Sequence, residues 1–341
     1  MDDRRFMAKV TEGIHHHPDS HYELPLPLRD ESLALPNNKK LAFHHPQHLK
    51  LRFGREEKYK KEYTAFMNDM IKKGYAEKIS SLEETRQDGR IWYLPHHGVY
   101  HPQKRDKIRV VFDCSAEYEG EALNKHLLQG PDLTNKLVGL LSRFRQERIA
   151  FMADTEAMFL QVHVTECYRD LLRFLWWENG NLDQQPFTYR MTVHLFGAGL
   201  SPGCCNFALK KTAEDYEKEL GSEPVEFLRR DFYVDDGPKS VATARDAKKL
   251  ISKTTEMCHH GGFNLHKFTS NKREFIEAIP TEDRAKGIKE LNLVKDEFPI
   301  ERALGISWCI ESDCFKFHIV VQDRPLAGED SFPQSALFMI H

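Results

Sequence analysis

Two adjacent carboxylates follow a short apolar stretch in FYVDDGPKS, where Asp235 and Asp236 come after three residues suited to a strand. Like charges this close repel each other, and partial burial strengthens the repulsion. Asp and Gly are ordinary turn residues, so a solvated hairpin between strands over 232–234 and 239–243 would explain the pair without any chemistry. The alternative is a divalent metal site, because a bound cation reverses the repulsion.

A metal site needs a third carboxylate from another strand, and Asp154 supplies it. The run RIAFMADTEAMF, residues 148–159, is typical of a buried strand, and Asp154 stands at its exit as Asp235 stands at the end of its own strand. If the two strands are neighbours in one sheet, both acids lie on the same edge. The sequence therefore offers a candidate three-carboxylate site.

Several elements must position these acids. Apolar periodicity and capping residues predict helices over 55–73, 131–146, 201–220 and 243–260, and strands over 91–102, 108–115, 148–159, 263–268 and 301–310. Gly74 is the expected stop of the first helix, and Thr243 with Asp246 forms a capping box before the last one. The first fifty residues are rich in Pro, His and Asn, and the stretch PLPLRDESLALPNN within them predicts an extended arm or irregular wrap.

A glycine-rich turn, FGAGLSPGCC, leads into the third predicted helix. Ser201 suits the N-cap and Pro202 the first helical position. Such a turn lets backbone N–H groups approach a ligand closely, although an ordinary Ser-Pro helix start explains the pattern equally well.

Composition sets broad limits on function. The 341 residues are 40% hydrophobic and 30% charged, as in a soluble globular protein, and a net charge of −3 neither supports nor excludes nucleic-acid binding. The seven cysteines form no C-x-x-C pair, so a reduced intracellular protein is the simplest interpretation. Without a signal core or membrane span in the sequence, we expect no membrane partner and a cytoplasmic or nuclear location.

Histidine is abundant, with 18 residues that include the run from His15 to His17. The spacings do not repeat at i, i+4 with cysteine or acidic partners, so solvated or capping histidines are expected rather than a metal cluster.

The order of these motifs resembles the fingers and palm of reverse transcriptases, and within that family the polymerase segment of Bel/Pao-type LTR retrotransposons. The matching phrases, over roughly residues 20–325, are HYELPLPLR, YTAFMNDMI, IRVVFDCSA, FMADTEAMFLQV, HLFGAGLSPGCCNFAL, FYVDDG, GGFNLHKFTSN and ALGISW. The resemblance implies an α+β right-hand fold with an antiparallel palm sheet backed by helices. It divides the chain into an N-terminal arm (1–50), fingers (51–128 and 163–200), palm (129–162 and 201–311) and a tail (312–341).

The resemblance also implies a reaction, RNA-directed DNA synthesis on a primed RNA or DNA template from deoxynucleoside triphosphates. Asp154 matches the first catalytic aspartate, Asp235 its partner in the Tyr-x-Asp-Asp motif, and Asp236 the supporting acid of that motif. All three are the implied ligands of Mg²⁺ or Mn²⁺. Two such ions activate the attacking primer hydroxyl and stabilise the leaving oxygen.

Further residues match substrate contacts of the family. Arg109 matches the arginine that grips the triphosphate, with Lys104 as a companion. Phe159 matches the aromatic gate against ribonucleotides, although a core phenylalanine explains it equally well. Lys267 matches a basic residue that assists the leaving pyrophosphate.

The glycine turn departs from the retroviral pattern, since Phe196 stands where those relatives have glutamine. Only Gly197, Ser201 and Pro202 are carried over there, as residues that shape the nucleotide site. Two residues match the primer-grip strand: Leu304 and Gly305.

After QDRPL the resemblance ends, and we expect a chain truncated before the thumb, RNase H and integrase regions. Duplex binding should then be weak, with those regions supplied by partners. Two functions stay open: an active polymerase core, or an inactive or domesticated relic that acts as a binding scaffold. A two-metal nuclease shares the acids but needs neither the gate nor the triphosphate arginine, and ranks last.

Overall fold

The computed structural model describes residues 1–86, 88–101, 104–293 and 295–316, with the side chains of 101 and 104–107 outside the description. Helices and small, mostly antiparallel sheets alternate along the chain, so the predicted α+β class is confirmed. In these ranges no helix is long and apolar enough to cross a bilayer. The predicted tail lies largely outside the described residues.

The helices and strands have the following bounds. The helices are α1 Asp2–Gly13, α2 Lys39–Phe53, α3 Glu57–Lys72, α4 Ser81–Glu84, α5 Leu123–His126, α6 Leu137–Phe144, α7 Ser201–Asp215, α8 Glu217–Leu220, α9 Ser222–Arg230, α10 Ala244–His260, α11 Arg273–Glu277 and α12 Lys286–Lys289. The strands are β1 His15–His16, β2 Tyr22–Leu24, β3 Ala76–Lys78, β4 His96–His101, β5 Lys104–Phe112, β6 Ile149–Thr155, β7 His163–Val164, β8 Arg173–Trp176, β9 Phe187–Met191, β10 Asp236–Val241, β11 Leu265–Ser270, β12 Ile300–Ala303, β13 Ile306–Cys309 and β14 Cys314–Lys316. Short 3-10 helices cover Met158–Gln161, Glu166–Leu172, Glu178–Gly180 and Thr281–Asp283.

Residues 25–38 contain no helix or strand, so the expected irregular segment is present there. It is flanked by two helices that were not expected, α1 with buried Phe6 and Val10 and α2. The helix predicted from residue 131 begins only at Leu137. Two other predictions are confirmed. Helix α3 ends before Gly74, which has φ 75°. At the start of α10, the hydroxyl of Thr243 accepts a hydrogen bond from the Asp246 N–H.

The chain forms two compact units, each with its own residues. Unit 1 comprises residues 1–133, 157–212 and 258–263; unit 2 comprises 134–156, 213–257 and 264 onward. The interpretation of these units as fingers and palm stays a prediction.

Unit 1 packs aromatic rings around a small antiparallel sheet of order β3-β9-β8. Tyr63 stacks on Trp176 with ring centroids 5.5 Å apart and lies against His96, whose ring is fully buried. Burial lowers the pKa of His96 to about 3, so this histidine is neutral and structural.

Unit 2 is built on an antiparallel sheet of order β10-β6-β11. Phe151 in the central strand contacts the rings of Phe227 and Phe275, with centroids 5.8 and 5.2 Å away. These rings anchor α9 and α11 to β6. The C-terminal strands β12, β13 and β14 form a separate sheet, in which Trp308 packs edge-on against Phe144 of α6.

The glycine turn of unit 1 is tight because the backbone itself approaches closely. Gly197 has φ 110°, and a Cβ built on it would lie 2.0 Å from the carbonyl oxygen of Phe112. The Asn124 side chain bridges the turn, donating to the Gly197 carbonyl and accepting from the Gly199 N–H. A packing constraint thus accounts for the glycine at 197.

Gly197→Ala should destabilise unit 1 by about 2 kcal/mol or more, because the methyl group meets backbone and the φ is left-handed. Thermal unfolding followed by circular dichroism should show a melting temperature roughly 4–8 °C lower. Gly199→Ala is the matched control, since its Cβ would meet nothing closer than Asn124 Oδ1 at 3.9 Å. Equal melting temperatures for the two variants would contradict this account.

Candidate carboxylate metal site

The site is centred on Asp154, near the end of the middle strand of the unit 2 sheet. In the register of that sheet Asp154 lies opposite Asp236 of β10 on one side and His266 of β11 on the other. Directly paired residues point to the same face of a sheet. The fold therefore brings Asp154 and the Asp235–Asp236 pair together, but Asp154 faces Asp236 rather than Asp235.

Asp235 occupies a two-residue hairpin turn. Tyr233 and Asp236 exchange both backbone hydrogen bonds at 2.8 Å, with Val234 and Asp235 between them. Val234 has φ 56°, which is an outlier for a β-branched residue. The strand predicted over 232–234 is thus wrong: only Tyr233 forms a bridge, and the turn presents Asp235 as an exposed residue.

Buried polar contacts hold the segment before the turn. Asp231 is buried and binds both Arg143 Nε at 2.7 Å and Lys239 Nζ at 2.6 Å. The Asn135 side chain donates to the carbonyl oxygen of Phe232 at 2.7 Å. On the far side of the turn, the Thr155 N–H donates to the Asp235 carbonyl oxygen at 2.6 Å. These contacts fix the backbone on which the strained turn is built.

A lysine and a histidine side chain from β11 each contact one oxygen of Asp154. Lys267 Nζ lies 2.6 Å from Oδ2, and His266 Nε2 lies 3.0 Å from Oδ1. An ionised carboxylate only accepts hydrogen bonds, so His266 Nε2 is the donor. Lys267 has φ 53° at a bulge in β11, where the pairing jumps from His266 to Thr269.

Asp154 and Asp236 differ in electrostatic environment. Burial would raise the pKa of Asp154, but the hydrogen bonds from His266 and Lys267 outweigh it and lower that pKa. Burial, and then the negative charges of Asp235 and Asp154, raise the pKa of Asp236 to about 7. The cluster therefore carries one stabilised carboxylate and one that resists ionisation.

Oxygen donors of this kind suit a hard divalent cation such as Mg²⁺. Two groups limit the negative charge of the site: the Asp236 carboxyl, whose pKa is raised, and the Lys267 ammonium group on Asp154 Oδ2. A metal ion that binds Asp154 has to displace Lys267 from that oxygen. In the described part of the chain, a different group of three side chains has ligand atoms that all lie within 4.8 Å of one another. These side chains are His17, Asp19 and His163.

The predicted substrate residues of unit 1 are placed as follows. Arg109 is exposed in β5, paired with Val99. Lys104 begins β5, but its side chain lies outside the described residues. Phe159 is half-buried and packs edge-on against Phe196, with centroids 4.6 Å apart. Their contacts with substrate stay predictions.

The helix-start residues differ in detail from the prediction. Ser201 is the first residue of α7 rather than the residue before it, and its buried hydroxyl donates to the Leu195 carbonyl oxygen at 2.8 Å. Pro202 lies in the first turn of α7, where its missing N–H costs no hydrogen bond.

Leu304 and Gly305 do not lie within a strand as predicted. They form the two-residue turn between β12 and β13, with φ 51° and 83°. Positive φ at both positions defines a tight hairpin turn of the I′ kind. Their match to a primer grip stays a prediction.

Sequence reasoning missed His266. It considered Lys267 alone, because no spacing rule links a residue in β11 to Asp154 in β6. The signal is the strand register: once β11 is placed beside β6, His266 falls opposite Asp154.

Comparison with solved structures gives a weak likeness. No protein-family model and no curated protein matches the chain. A similar solved structure is described as the foamy viral protease-reverse transcriptase dRH in complex with double-stranded DNA, at 19% identity and a TM-score of 0.45. The match covers 61% of this chain and 30% of that one, so the chain spans less than a third of its length. A match at this level does not define the fold.

The raised pKa of Asp236 predicts a pH dependence of stability in chelated buffer. Its folded-state pKa of about 7 exceeds the ordinary value of 3.8, so the folded chain keeps a proton that the unfolded chain releases. Stability should fall as pH rises between about 4 and 7, and Asp236→Asn should remove this loss, giving a gain of about 1–3 kcal/mol at pH 8. Chemical denaturation across this pH range measures it.

The matched control is Glu256→Gln, which changes an exposed acid on α10. It should keep the wild-type dependence on pH. Parallel stability curves for wild type and Asp236→Asn would show that Asp236 ionises normally in the fold.

Proposed function

We propose that the chain is the polymerase core of a reverse transcriptase, an RNA-directed DNA polymerase of the Bel/Pao retrotransposon type. It would transfer deoxynucleotides to a primer with Mg²⁺ or Mn²⁺ held by Asp154, Asp235 and Asp236. In this proposal unit 2 is the palm of a right-hand fold and unit 1 the fingers.

The observation that carries the proposal is the placement of Asp154 opposite Asp236 across adjacent strands. Like charges directly opposite each other destabilise a sheet pair. The turn before Asp236 is strained at Val234, and the pKa of Asp236 is raised to about 7. Strained backbone together with a perturbed acid supports a functional site over an ordinary hairpin.

Each residue has a defined part in this chemistry. Asp154 is already ionised, so its oxygens are available as ligands once Lys267 moves away. Asp236 has to release its proton when a cation binds. The exposed Asp235 turn offers a further carboxylate to the same ion. The bound ions supply activation of the primer hydroxyl and stabilisation of the leaving oxygen.

The displaced Lys267 carries a positive charge beside the acids. An ammonium group there can donate to the phosphate oxygens that accumulate charge as pyrophosphate leaves. Its side chain is 55% exposed, so movement from Asp154 to a substrate meets little packing resistance.

The contact between Lys267 and Asp154 also favours a second function. Lys267 compensates the charge of Asp154 without any metal, and His266 donates a hydrogen bond to its other oxygen. A binding scaffold that has lost polymerase activity could use this internal compensation permanently. The two functions differ in whether a divalent cation displaces Lys267.

Primer extension on poly(rA)–oligo(dT) with Mg²⁺ or Mn²⁺ tests the polymerase directly. Wild type should extend the primer, whereas Asp235→Asn combined with Asp236→Asn should lose at least about 10³-fold in rate, since two of the three proposed carboxylate ligands lose their negative charge. Glu256→Gln should extend normally. If no protein extends the primer and all are folded by circular dichroism, the scaffold function is the one that survives.

Lys267→Met tests the competition for Asp154. A partly exposed ion pair is worth up to about 1 kcal/mol, so its loss should lower the half-saturating Mg²⁺ concentration roughly 2–5-fold. The maximal extension rate should fall, because the Lys267 ammonium group is no longer there to donate to the leaving pyrophosphate. The Mg²⁺-dependent shift in melting temperature gives the same affinity without relying on activity.

Lys272→Met is the control, because Lys272 is an exposed lysine five residues further along the chain. It should leave the Mg²⁺ requirement unchanged. A Lys267→Met protein that needs more Mg²⁺ than wild type would contradict the competition between lysine and metal.

A further inference from the structure

A second cluster of ligand-type side chains lies in unit 1, in residues 17–21 and at the start of β7. It consists of His17, Asp19 and His163, whose ligand atoms all lie within 4.8 Å of one another. We call these three residues the histidine cluster. None of them belongs to the carboxylate site, and no part of the proposed polymerase chemistry uses them.

The backbone of the loop between β1 and β2 is closed by hydrogen bonds. The His17 N–H donates to the His21 carbonyl oxygen at 2.7 Å, and the Ser20 N–H donates to the His17 carbonyl oxygen at 3.0 Å. Ser20 has φ 76°, which lets the loop reverse within a few residues. Asp19 Oδ1 accepts from the His21 N–H at 3.1 Å. The loop therefore presents Asp19 in a fixed orientation.

The sheet brings the third residue to this loop. Strands β2 and β7 are parallel neighbours, with Glu23 opposite His163. His163 Nε2 lies 3.2 Å from Asp19 Oδ2, and the rings of His17 and His163 stack with centroids 4.8 Å apart. Side chains from distant parts of the sequence thus converge on one carboxylate.

The contact between His17 and Asp19 is unusual. His17 Nδ1 is buried and lies 2.8 Å from Asp19 Oδ1, yet the two atoms do not have the alignment of a hydrogen bond. A buried ring nitrogen without an aligned partner costs free energy unless something else satisfies it. The nitrogen faces the same carboxylate that His163 contacts.

We propose that His17, Asp19 and His163 form a binding site for a divalent transition metal ion, of which Zn²⁺ fits best. Two imidazole nitrogens and one carboxylate are a common donor set for zinc. Tetrahedral zinc with bonds of about 2.0–2.1 Å places its ligand atoms about 3.3 Å apart. In the cluster His17 Nδ1 lies 2.8 Å from Oδ1 of Asp19 and His163 Nε2 lies 3.2 Å from Oδ2, so each imidazole approaches a different oxygen of the carboxylate and small side-chain rotations would bring the donors around one ion.

The donor type separates this site from the carboxylate site of unit 2. Imidazole suits Zn²⁺ and its neighbours in the transition series, whereas carboxylate oxygens alone suit Mg²⁺. His21 flanks the cluster with its ring edge-on to His163, but its Nδ1 lies 2.7 Å from the Gln161 carbonyl oxygen. Three protein ligands leave a fourth position for water or another ligand.

A metal ion here would act as a structural clip. It would join the loop after β1 to β7, two segments far apart in the sequence, and so restrict the unfolded chain more than a local contact does. Zn²⁺ should therefore raise the melting temperature of the chain, even when the polymerase site is disabled.

The experiment uses the full chain, purified without a polyhistidine tag and treated with a chelator that is then removed. Zn²⁺ binding is measured by equilibrium dialysis, and Co²⁺ absorption in the visible range reports the coordination geometry. Wild type should bind one Zn²⁺ per chain and show the intense absorption of a tetrahedral site. His163→Gln and Asp19→Asn, a nearly isosteric change, should each weaken binding by about 100-fold or more.

The matched control is His48→Gln, which removes an exposed histidine of unit 1 outside the cluster. It should bind Zn²⁺ as wild type does, and excess Mg²⁺ should not displace the ion. The proposal is overturned if wild type binds no Zn²⁺, or if Asp19→Asn and His163→Gln bind as well as wild type. Because no step requires DNA synthesis, the result is independent of the polymerase proposal.

Discussion

The pairing of Asp154 with Asp236 across neighbouring strands is the constraint around which unit 2 is arranged. Two carboxylates on one face of a sheet cannot both ionise cheaply when they are partly buried. On the third strand of the sheet, His266 and Lys267 donate hydrogen bonds to the two oxygens of Asp154. One acid is thereby stabilised as a carboxylate and its neighbour retains its proton up to about neutral pH.

The same acids are bordered by two irregularities of the backbone. Val234 and Lys267 both have positive φ, one in the turn before β10 and the other at the bulge of β11. Such conformations cost on the order of 1–3 kcal/mol each in residues other than glycine, and they persist only where surrounding contacts hold them. Asp231, bound by Arg143 and Lys239, provides such contacts before the turn.

The irregularities have a geometric consequence for the acids. The turn at Val234 reverses the chain within two residues, which brings Asp236 directly to the start of β10. The bulge changes the register of β11 immediately after His266, where Lys267 reaches Asp154. A regular hairpin and a regular strand would give neither arrangement.

Part of this site was predictable from the sequence. A carboxylate at the exit of a buried strand, followed later by adjacent acids, was enough to select Asp154, Asp235 and Asp236. The register was not predictable, because a shift of one residue reverses which side chains share a face. For that reason Asp154 was expected beside Asp235, and His266 was not expected at the site.

Other differences have related causes. Leu304 and Gly305 were placed in a strand because leucine rarely adopts positive φ, which hides the turn. No helix was expected in the first fifty residues because they are rich in Pro, His and Asn, whereas burial of Phe6 and Val10 stabilises a helix over residues 2–13. The histidine cluster escaped the search for i, i+4 spacing because a parallel strand pair, not a helix, brings His163 to the loop of His17.

The electrostatic state of the carboxylate site links metal binding to protons. Without a divalent ion, Asp154 is neutralised by Lys267, and Asp236 is largely protonated below pH 7. A cation that binds both acids must release the ammonium group from one and a proton from the other, so its affinity rises with pH. Metal affinity that rises with pH would therefore be a direct signature of a cation that contacts both acids, and it follows from the register that places them opposite each other.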